Sequence, residues 1–209
     1  MTNKKSLTEL KKIRQPQSAA VQRKRGYPKG VMKREEILTG LMAALANGEL
    51  RNPPLRSIGQ ALGIEPAHIL YYFGSRERLL QAVITRWDED AMQRAANDLS
   101  LDAYADTIQH NLVIPGIVHI YLTFAAEAVD QEHPAHEFFR ERFERSRRQL
   151  GEAIRKEQAD GAIPSEHDAN LISRLLIALA DGLQLQSLVD PHVNAASDIA
   201  AMIAWLRGQ

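Results

Sequence analysis

Apolar residues recur at every third or fourth position along most of this chain, and this period is the feature that most constrains its fold. From Val31 onward no segment alternates apolar and polar residues as a half-buried strand would. Gly, Pro and Asn-Gly breaks divide the pattern into separate helices. These are predicted at about 31–46, 55–62, 66–72 and 75–98, from Asp102 for ten residues or so, from Pro115, from Pro134, and at about 168–189 and 194–207. Ser75 and Asp102 are predicted to cap their helices, and Asp168 to begin its helix. The sequence therefore predicts an all-α protein.

Composition narrows the classes of protein to consider. Of the 209 residues 44% are hydrophobic and 25% charged, which is ordinary for a globular chain. We find no apolar run near the roughly 20 residues that span a bilayer, so no membrane span is expected. The chain has no cysteine, which excludes disulfides, thiolate metal sites and cysteine nucleophiles. These features agree with a cytoplasmic location.

The net charge of zero hides a strong asymmetry. Residues 1–34 hold 11 of the 26 Lys and Arg residues and only one of the 26 acidic residues, so this part carries +10 and the rest −10. Residues 1–30 also lack a sustained apolar period, and we predict a basic, mostly disordered arm. Such an arm could contact a polyanion, or it could be a solvated tail without a partner.

The segment 55–72 has the spacing of a helix-turn-helix. Ile58 and Leu62 lie one turn apart, and Gly59 between them would let a second helix approach closely. Gly63 stands where the first helix must stop in a left-handed conformation. An ordinary helical hairpin in a bundle is the alternative interpretation.

The run GIEPAHILYYFGSRERLL, after LRSIGQAL, resembles the recognition segment of the TetR (tetracycline repressor) family of transcription regulators. The matching residues are Gly63, Ile69, Tyr72, Phe73, Ser75, Glu77 and Leu79. The tail ALADGLQLQSLVDP also resembles the penultimate helix of many members. Leu70 stands where the family often has Tyr, which leaves Tyr71 as the candidate for that phosphate contact.

The resemblance implies an arm (1–30), a three-helix DNA-binding head (31–78), and an antiparallel helical bundle (79–209) for ligand binding and dimerisation. It implies a ligand-responsive DNA-binding regulator, a repressor that a small apolar or aromatic effector releases from a near-palindromic operator. Its partners would be double-stranded DNA, a second copy bound through the last two helices, and the effector. The sequence indicates no cofactor, no metal site and no enzyme.

The resemblance and the chemistry of the residues give two sets of candidates. Those for DNA are Lys29, Lys33, Arg34, Arg56, Ala67, His68, Tyr71, Tyr72 and Arg76, because basic, histidine and tyrosine side chains bind base edges and phosphates. Those for a ligand pocket are Trp87, Met92, Tyr104, Ile108, Ile117, Tyr121, Phe124 and Phe143, for which core packing is the alternative.

Two further runs have plain interpretations. In EHPAHE, Glu132–Glu137, proline separates the histidines, so they need not share one helical face as zinc ligands do. RERFERSRRQ, Arg140–Gln149, is expected to be a solvated helix face with ion pairs one turn apart.

Other functions stay open at this stage. A transcriptional activator, a regulator without a ligand, and a helical protein-interaction module all fit the helices and the basic arm. An enzyme in a helical bundle is disfavoured, because no Ser-His-Asp pattern, phosphate loop or His-Glu metal pattern occurs.

Overall fold

The computed structural model describes residues 27–96 and 98–208, and within these ranges the chain is helical without strands. The helices are α1 Tyr27–Ala46, α2 Leu55–Leu62, α3 Pro66–Phe73, α4 Arg76–Arg94, α5 Leu101–Leu112, α6 Pro115–Glu127, α7 His136–Ala159, α8 Ala169–Val189 and α9 Ala195–Leu206. Helices α1–α3 form the head, and α4 leads from it into a bundle of α5–α9. The all-α class is confirmed.

Some helix boundaries differ from the prediction. Helix α1 begins at Tyr27, so residues 27–30 of the predicted arm are helical, while the rest of the arm lies outside the described residues. Helix α4 ends at Arg94 rather than near Asp98, because Ala96 turns the chain with a positive φ of 50°.

Capping serines and aspartates set several of the helix starts. Ser75 begins α4, with its hydroxyl accepting from Arg78 N at 3.2 Å, and Asp168 begins α8 in the same way, as predicted. The prediction that Asp102 caps the next helix is wrong. Ser100 is the cap of α5, its hydroxyl accepting from Ala103 N at 3.1 Å, and Asp102 lies in the first turn.

Two glycines make the helix-turn-helix possible. Gly63 ends α2 with φ +63°, and Ile64 N donates to Gly59 O at 2.9 Å across the turn. A Cβ on Gly59 would lie 2.6 Å from Ile64 O and 3.2 Å from the Pro66 ring. Gly59 therefore allows a close approach, as predicted, and the groups that approach it are the turn and Pro66, the first residue of α3.

The hydrophobic core has two parts, and the first joins the head to the bundle. It runs from α1–α4 into α6 and the start of α7, whereas the second fills the space between α5, the end of α7, α8 and α9. Gly116 in α6 lies against the end of α1, where a Cβ would be 2.4 Å from Leu45 O and 2.9 Å from Leu50 O. The core is thus continuous across residue 78, where the sequence analysis divides head from bundle.

Helix α8 is long and apolar enough to cross a bilayer by length and composition alone, contrary to the expectation from the sequence. In the structure it is a bundle helix that packs on α5, α6, α7 and α9. Its buried positions include Ile172, Leu176 and Leu183 in the second part of the core. A core helix of a bundle passes the same compositional test as a membrane span.

Candidate nucleic-acid interface and internal cavity

Helix α3 presents a row of exposed side chains on one face and buries the other. Ala67, His68 and Tyr71 are exposed, and Tyr71 is 82% accessible. Ile69 and Phe73 are buried and fix the helix on the core of the head. A short helix with this exposed face has the shape of an element that can enter a DNA major groove.

Two further candidates flank this face. Arg56 is exposed in the first turn of α2. Tyr72 is half-buried against the core, and its ring meets that of Tyr71 edge to face with centroids 5.1 Å apart. Tyr72 therefore supports Tyr71, while Arg56 is accessible beside α3.

The basic residues of α1 have different surroundings. Lys29 is exposed near the start of the helix. Lys33 forms an ion pair with Glu36 at 2.7 Å. Arg34 lies over the Phe73 ring at 4.5 Å and donates to Tyr72 O at 3.3 Å, which places its charge at the carboxyl end of α3. Arg34 thus holds the end of α3 in position while it remains on the surface.

Arg76 points toward the protein. Its Nε donates to Pro53 O at 3.0 Å and its Nη2 to Asn52 Oδ1 at 2.5 Å, and Glu127 lies 3.9 Å away. These partners tie the start of α4 to the α1–α2 loop and to the end of α6. To contact a phosphate the side chain would have to leave them.

Arg78 is a residue that the sequence analysis missed. It is exposed, and its Nη1 lies 3.2 Å from where a Cβ of Gly74 would be, at the end of α3. With Tyr71 and Arg34 it lines an open groove of about 710 Å³ on the head. The sequence did contain a signal for Arg78. It lies two positions after Arg76 on the same helix, so the two side chains face different sides and can have different partners.

A cavity of about 500 Å³ lies among α4, α5 and α7. Its volume is in the range of small-molecule sites, about 300–1,000 Å³. Met92 and Tyr104 from the predicted set line it, together with Leu99 and Leu150. The Tyr104 hydroxyl donates to Leu176 O at 3.2 Å, and burial raises the pKa of this tyrosine.

The other six predicted pocket residues lie in the core and not in the lining of the cavity. They are Trp87, Ile108, Ile117, Tyr121, Phe124 and Phe143, of which only Phe143 is more than slightly exposed. Ile108 belongs to the second part of the core and the other five to the first, as the core alternative describes. As ligand contacts they stay predictions.

Charged side chains from two helices meet in the cavity wall. Arg142 of α7 donates from Nε and Nη2 to the two carboxylate oxygens of Asp88 on α4, at 2.9 and 2.8 Å. Arg145 reaches the same carboxylate at 3.8 Å. Burial lowers the pKa of Arg142, but Asp88 together with Tyr121 and Asp181 more than offsets this and keeps the guanidinium charged.

This ion pair continues into the core. The Arg142 guanidinium lies over the Tyr121 ring at 4.6 Å, and the Tyr121 hydroxyl donates to Asp181 Oδ1 at 3.0 Å. Burial raises the pKa of the Asp181 carboxyl, while the Tyr121 hydrogen bond and the Arg142 charge lower it by less. A polar chain thus joins α4 to α7, α6 and α8.

The charge run on α7 is only in part the solvated face that was expected. Arg140 and Arg148 are exposed and pair with Glu144 one turn away. Arg142 is wrongly placed by that prediction, because its side chain is only 15% exposed. Local spacing could not show this, since its partner Asp88 lies 54 residues earlier in the chain.

The two histidines of EHPAHE have structural partners. His133 Nδ1 accepts from Ala135 N at 3.2 Å, and His136 Nδ1 lies 2.9 Å from Ala128 O. Among the residues that the structure describes, no group of three or more His, Cys, Asp or Glu side chains could hold a metal ion. Both histidines shape the turn before α7.

The last two helices carry exposed apolar side chains. They include Leu171, Leu175, Leu185 and Val189 of α8 and Trp205 of α9, each between 46% and 81% exposed. The four α8 residues lie 4, 14 and 18 positions from the first, so they share one helical face, and large apolar groups gathered on a surface are typical of an interaction face.

Comparisons with known proteins agree with this geometry. Residues 115–208 match the family model for the C-terminal part of BetI-type transcriptional repressors. A search of curated sequences finds no significant match.

Solved structures share the fold. A TetR-family regulator from Rhodococcus sp. has a TM-score of 0.66 at 20% identity, with 84% of this chain and 99% of that one covered. Salmonella enterica GusR gives 0.63 at 20% identity, covering 86% and 97%. A transcriptional regulator from Saccharomonospora viridis, in complex with choline, gives 0.61 at 19% identity, covering 83% and 94%.

The resemblance found in the head, the match of residues 115–208 and the shared fold agree with one another. The relatives are regulators of transcription and not enzymes. On these grounds residues 115–208 resemble the C-terminal part of BetI-type repressors, and the described chain shares the fold of TetR-family transcriptional regulators.

Proposed function

We propose that this protein is a homodimeric, sequence-specific DNA-binding repressor that a small molecule releases from a near-palindromic operator. The observation that carries the proposal is the exposed row on α3, Ala67, His68 and Tyr71, beside Arg56 on α2. Arg is the commonest specific partner of guanine, and an alanine methyl fits the thymine methyl. Residues 1–34 carry the net positive charge of the chain and the rest carries a net negative charge, so a polyanion is attracted to the head side.

Lys29, Lys33, Arg34 and Arg78 would contact phosphates around this face, and Tyr71 would take the contact that Leu70 cannot make. Arg34, Tyr71 and Arg78 line one open groove of the head, which supports a common ligand for these three side chains. Each phosphate contact adds to the salt dependence of affinity. We expect Arg76 to act indirectly, by holding the start of α4.

Selection from a pool of random duplexes at about 150 mM salt tests the DNA-reading role, because weak nonspecific contacts are suppressed there. We expect a recovered near-palindrome with half-sites about 34–36 Å apart. Arg56→Ala and His68→Ala should lower affinity for it, each by about 1–3 kcal/mol. The matched control is Arg148→Ala, on an exposed part of α7. Absence of enrichment with a folded protein would remove this function and favour an interaction module.

The second copy would bind through the exposed apolar face of α8 and α9, with Leu175 and Trp205 in the contact. Leu175→Glu should give a monomer in sedimentation experiments, because it places a charge in an apolar interface. Val129→Glu is the control, since Val129 is also exposed but lies after α6. A dimer that survives Leu175→Glu would place the interface elsewhere.

The cavity among α4, α5 and α7 is the proposed effector site. Helix α4 both lines it and starts at the head, so an effector that moves α4 would move α3. The match to BetI-type repressors supports repression, and the choline in one solved regulator supports small-molecule binding by this fold. A regulator of this kind acts in the cytoplasm, where the DNA is.

A further inference from the structure

The cavity wall contains more positive than negative charge at one point. The guanidinium groups of Arg142 and Arg145 share the Asp88 carboxylate, which is the one carboxylate within 4 Å of either group in the described part of the chain. The Arg142 side chain is 15% exposed and that of Asp88 30%. The Arg145 side chain is 48% exposed and lies 3.8 Å from the carboxylate, so one Asp88 charge is shared between a sheltered arginine and a solvent-accessible one.

The other carboxylates that line the cavity have partners of their own. Glu89 lies 3.8 Å from Arg86. Asp98 accepts from Ser100 N at 2.9 Å and from the Ser100 hydroxyl at 2.8 Å. A cationic ligand would therefore meet carboxylates that are already bound. It would also find Tyr104 as the one aromatic ring among the lining residues of the described chain, which is fewer than an ammonium cage needs.

The rest of the lining is suited to an apolar group. Met92 of α4, Leu99 of the loop between α4 and α5, and Leu150 of α7 lie on the walls. A guanidinium binds a carboxylate through two parallel hydrogen bonds, as Arg142 already does with Asp88. The cavity thus offers an arginine pair beside an apolar space of about 500 Å³.

We propose that the cavity binds a small organic carboxylate with an apolar body, and that this carboxylate replaces Asp88 as the partner of Arg142 and Arg145. The inference rests on the cavity being the effector site of the proposed function. Asp88 belongs to α4, so the exchange releases α4 from α7 at the point where the two helices are joined by charge. Asp88 then competes with the effector for Arg142 and Arg145. The two arginines supply all the positive charge that the ligand needs.

Equilibrium dialysis of the full-length protein tests the ligand class without DNA. The probes are straight-chain carboxylates from butyrate to dodecanoate and phenylbutyrate, each compared with its alcohol and its primary ammonium counterpart. We expect a carboxylate to bind about tenfold or more tightly than its alcohol. The inference is overturned if no carboxylate binds, or if the alcohol or ammonium binds as tightly.

Variants distinguish binding by the arginine pair from a general effect of positive charge on the protein. Arg145→Gln should weaken carboxylate binding about tenfold, whereas Arg148→Gln, an exposed arginine on the same helix, should leave it unchanged. Asp88→Asn should tighten carboxylate binding and leave alcohol binding as it was, which a purely structural role of Asp88 would not produce. Equal effects of Arg145→Gln and Arg148→Gln, or weaker carboxylate binding in Asp88→Asn, contradict the exchange. Arg145→Gln alone decides the question if Asp88→Asn does not fold.

Duplex binding measured in parallel distinguishes this inference from the proposed function. A protein that selects a duplex but binds no carboxylate keeps the proposed function and loses this inference. A protein that binds carboxylates through Arg145 but selects no duplex keeps the ligand class inferred here and loses the proposed DNA-binding function.

Discussion

The helix-turn-helix occupies one short run of the chain, residues 55–73, whereas the cavity takes its lining from α4, α5 and α7 between Thr85 and Leu150. In the head, a backbone hydrogen bond from Ile64 N to Gly59 O fixes the turn, and its two residues are only five positions apart. In the cavity wall, the bond from Arg142 to Asp88 joins residues 54 apart. Local geometry determines the first region, and packing of distant helices determines the second.

The two regions also treat charge differently. Arg56 and His68 are exposed on the head, where a ligand can reach them from solvent. The cavity arginines instead share the carboxylate of Asp88, which is 30% exposed. A ligand of the head adds contacts to open groups, while a charged ligand of the cavity must exchange with an existing partner.

The largest effect is expected outside both regions, at Gly116, where α6 of the bundle packs on the end of α1. Gly116→Ala would place a Cβ 2.4 Å from Leu45 O and 2.9 Å from Leu50 O, and both are backbone atoms that cannot rotate away. We expect the free energy of unfolding to fall by about 3 kcal/mol, measured by urea denaturation.

Gly30→Ala is the control for this substitution, because Gly30 is helical and a Cβ there would meet no atom within 4 Å. That change should raise stability by roughly 0.5–1 kcal/mol. Equal effects of the two alanines would show that α1 and α6 are not in close contact at Gly116.

A smaller effect is expected inside the head alone. Gly59→Ala would bring a Cβ to 2.6 Å from Ile64 O, and the turn must open to accept it. We expect a loss of about 2 kcal/mol in stability and at least a tenfold loss of affinity for the selected duplex. Gln60→Ala, on the exposed side of the same helix, should change neither. Carboxylate binding measured by dialysis should persist in Gly59→Ala, and its parallel loss would show that the two regions are not separable.

This contrast explains how much the sequence could predict. The bounds of α2, the role of Gly63 and the cap at Ser75 follow from patterns within a few residues, and the structure has all three. The cavity needed contacts among three helices, so of eight predicted residues only Met92 and Tyr104 line it. An arginine run has the same spacing on a solvated face as on a cavity wall, and only the position of Asp88 distinguishes them.

The helix caps allow a direct comparison between the two regions. Ser75 begins α4 at the head and was predicted, whereas Ser100 begins α5 beside the cavity and was missed. Each accepts one backbone hydrogen bond, so Ser75→Ala and Ser100→Ala should each cost about 1 kcal/mol of unfolding free energy. Ser165→Ala, in an exposed turn, should cost far less. A cap at Ser75 worth much more than that at Ser100 would mean that the head depends more on its helix start than the cavity does.

The smallest effect is expected at Asp181, where the polar chain from the cavity ends in the core. Burial raises the pKa of this carboxyl above its ordinary 3.8, although the Tyr121 hydrogen bond and Arg142 oppose the shift. The folded protein therefore holds this proton more tightly than the unfolded chain does. The stabilisation is complete below the unfolded pKa and is lost as pH rises through the folded pKa.

Asp181→Asn keeps an oxygen for the Tyr121 hydroxyl and has no proton to lose. Its unfolding free energy relative to the unaltered protein should therefore rise as pH increases from about 3.8 through the raised pKa of the folded state. Asp160→Asn, at an exposed carboxyl after α7, is the matched control and should give a flat difference. A difference that falls with pH at Asp181 would mean that Arg142 outweighs burial there. The charge of Arg142 would then reach through Tyr121 into the core, and a ligand at Arg142 would change the ionisation of Asp181 as well as release Asp88.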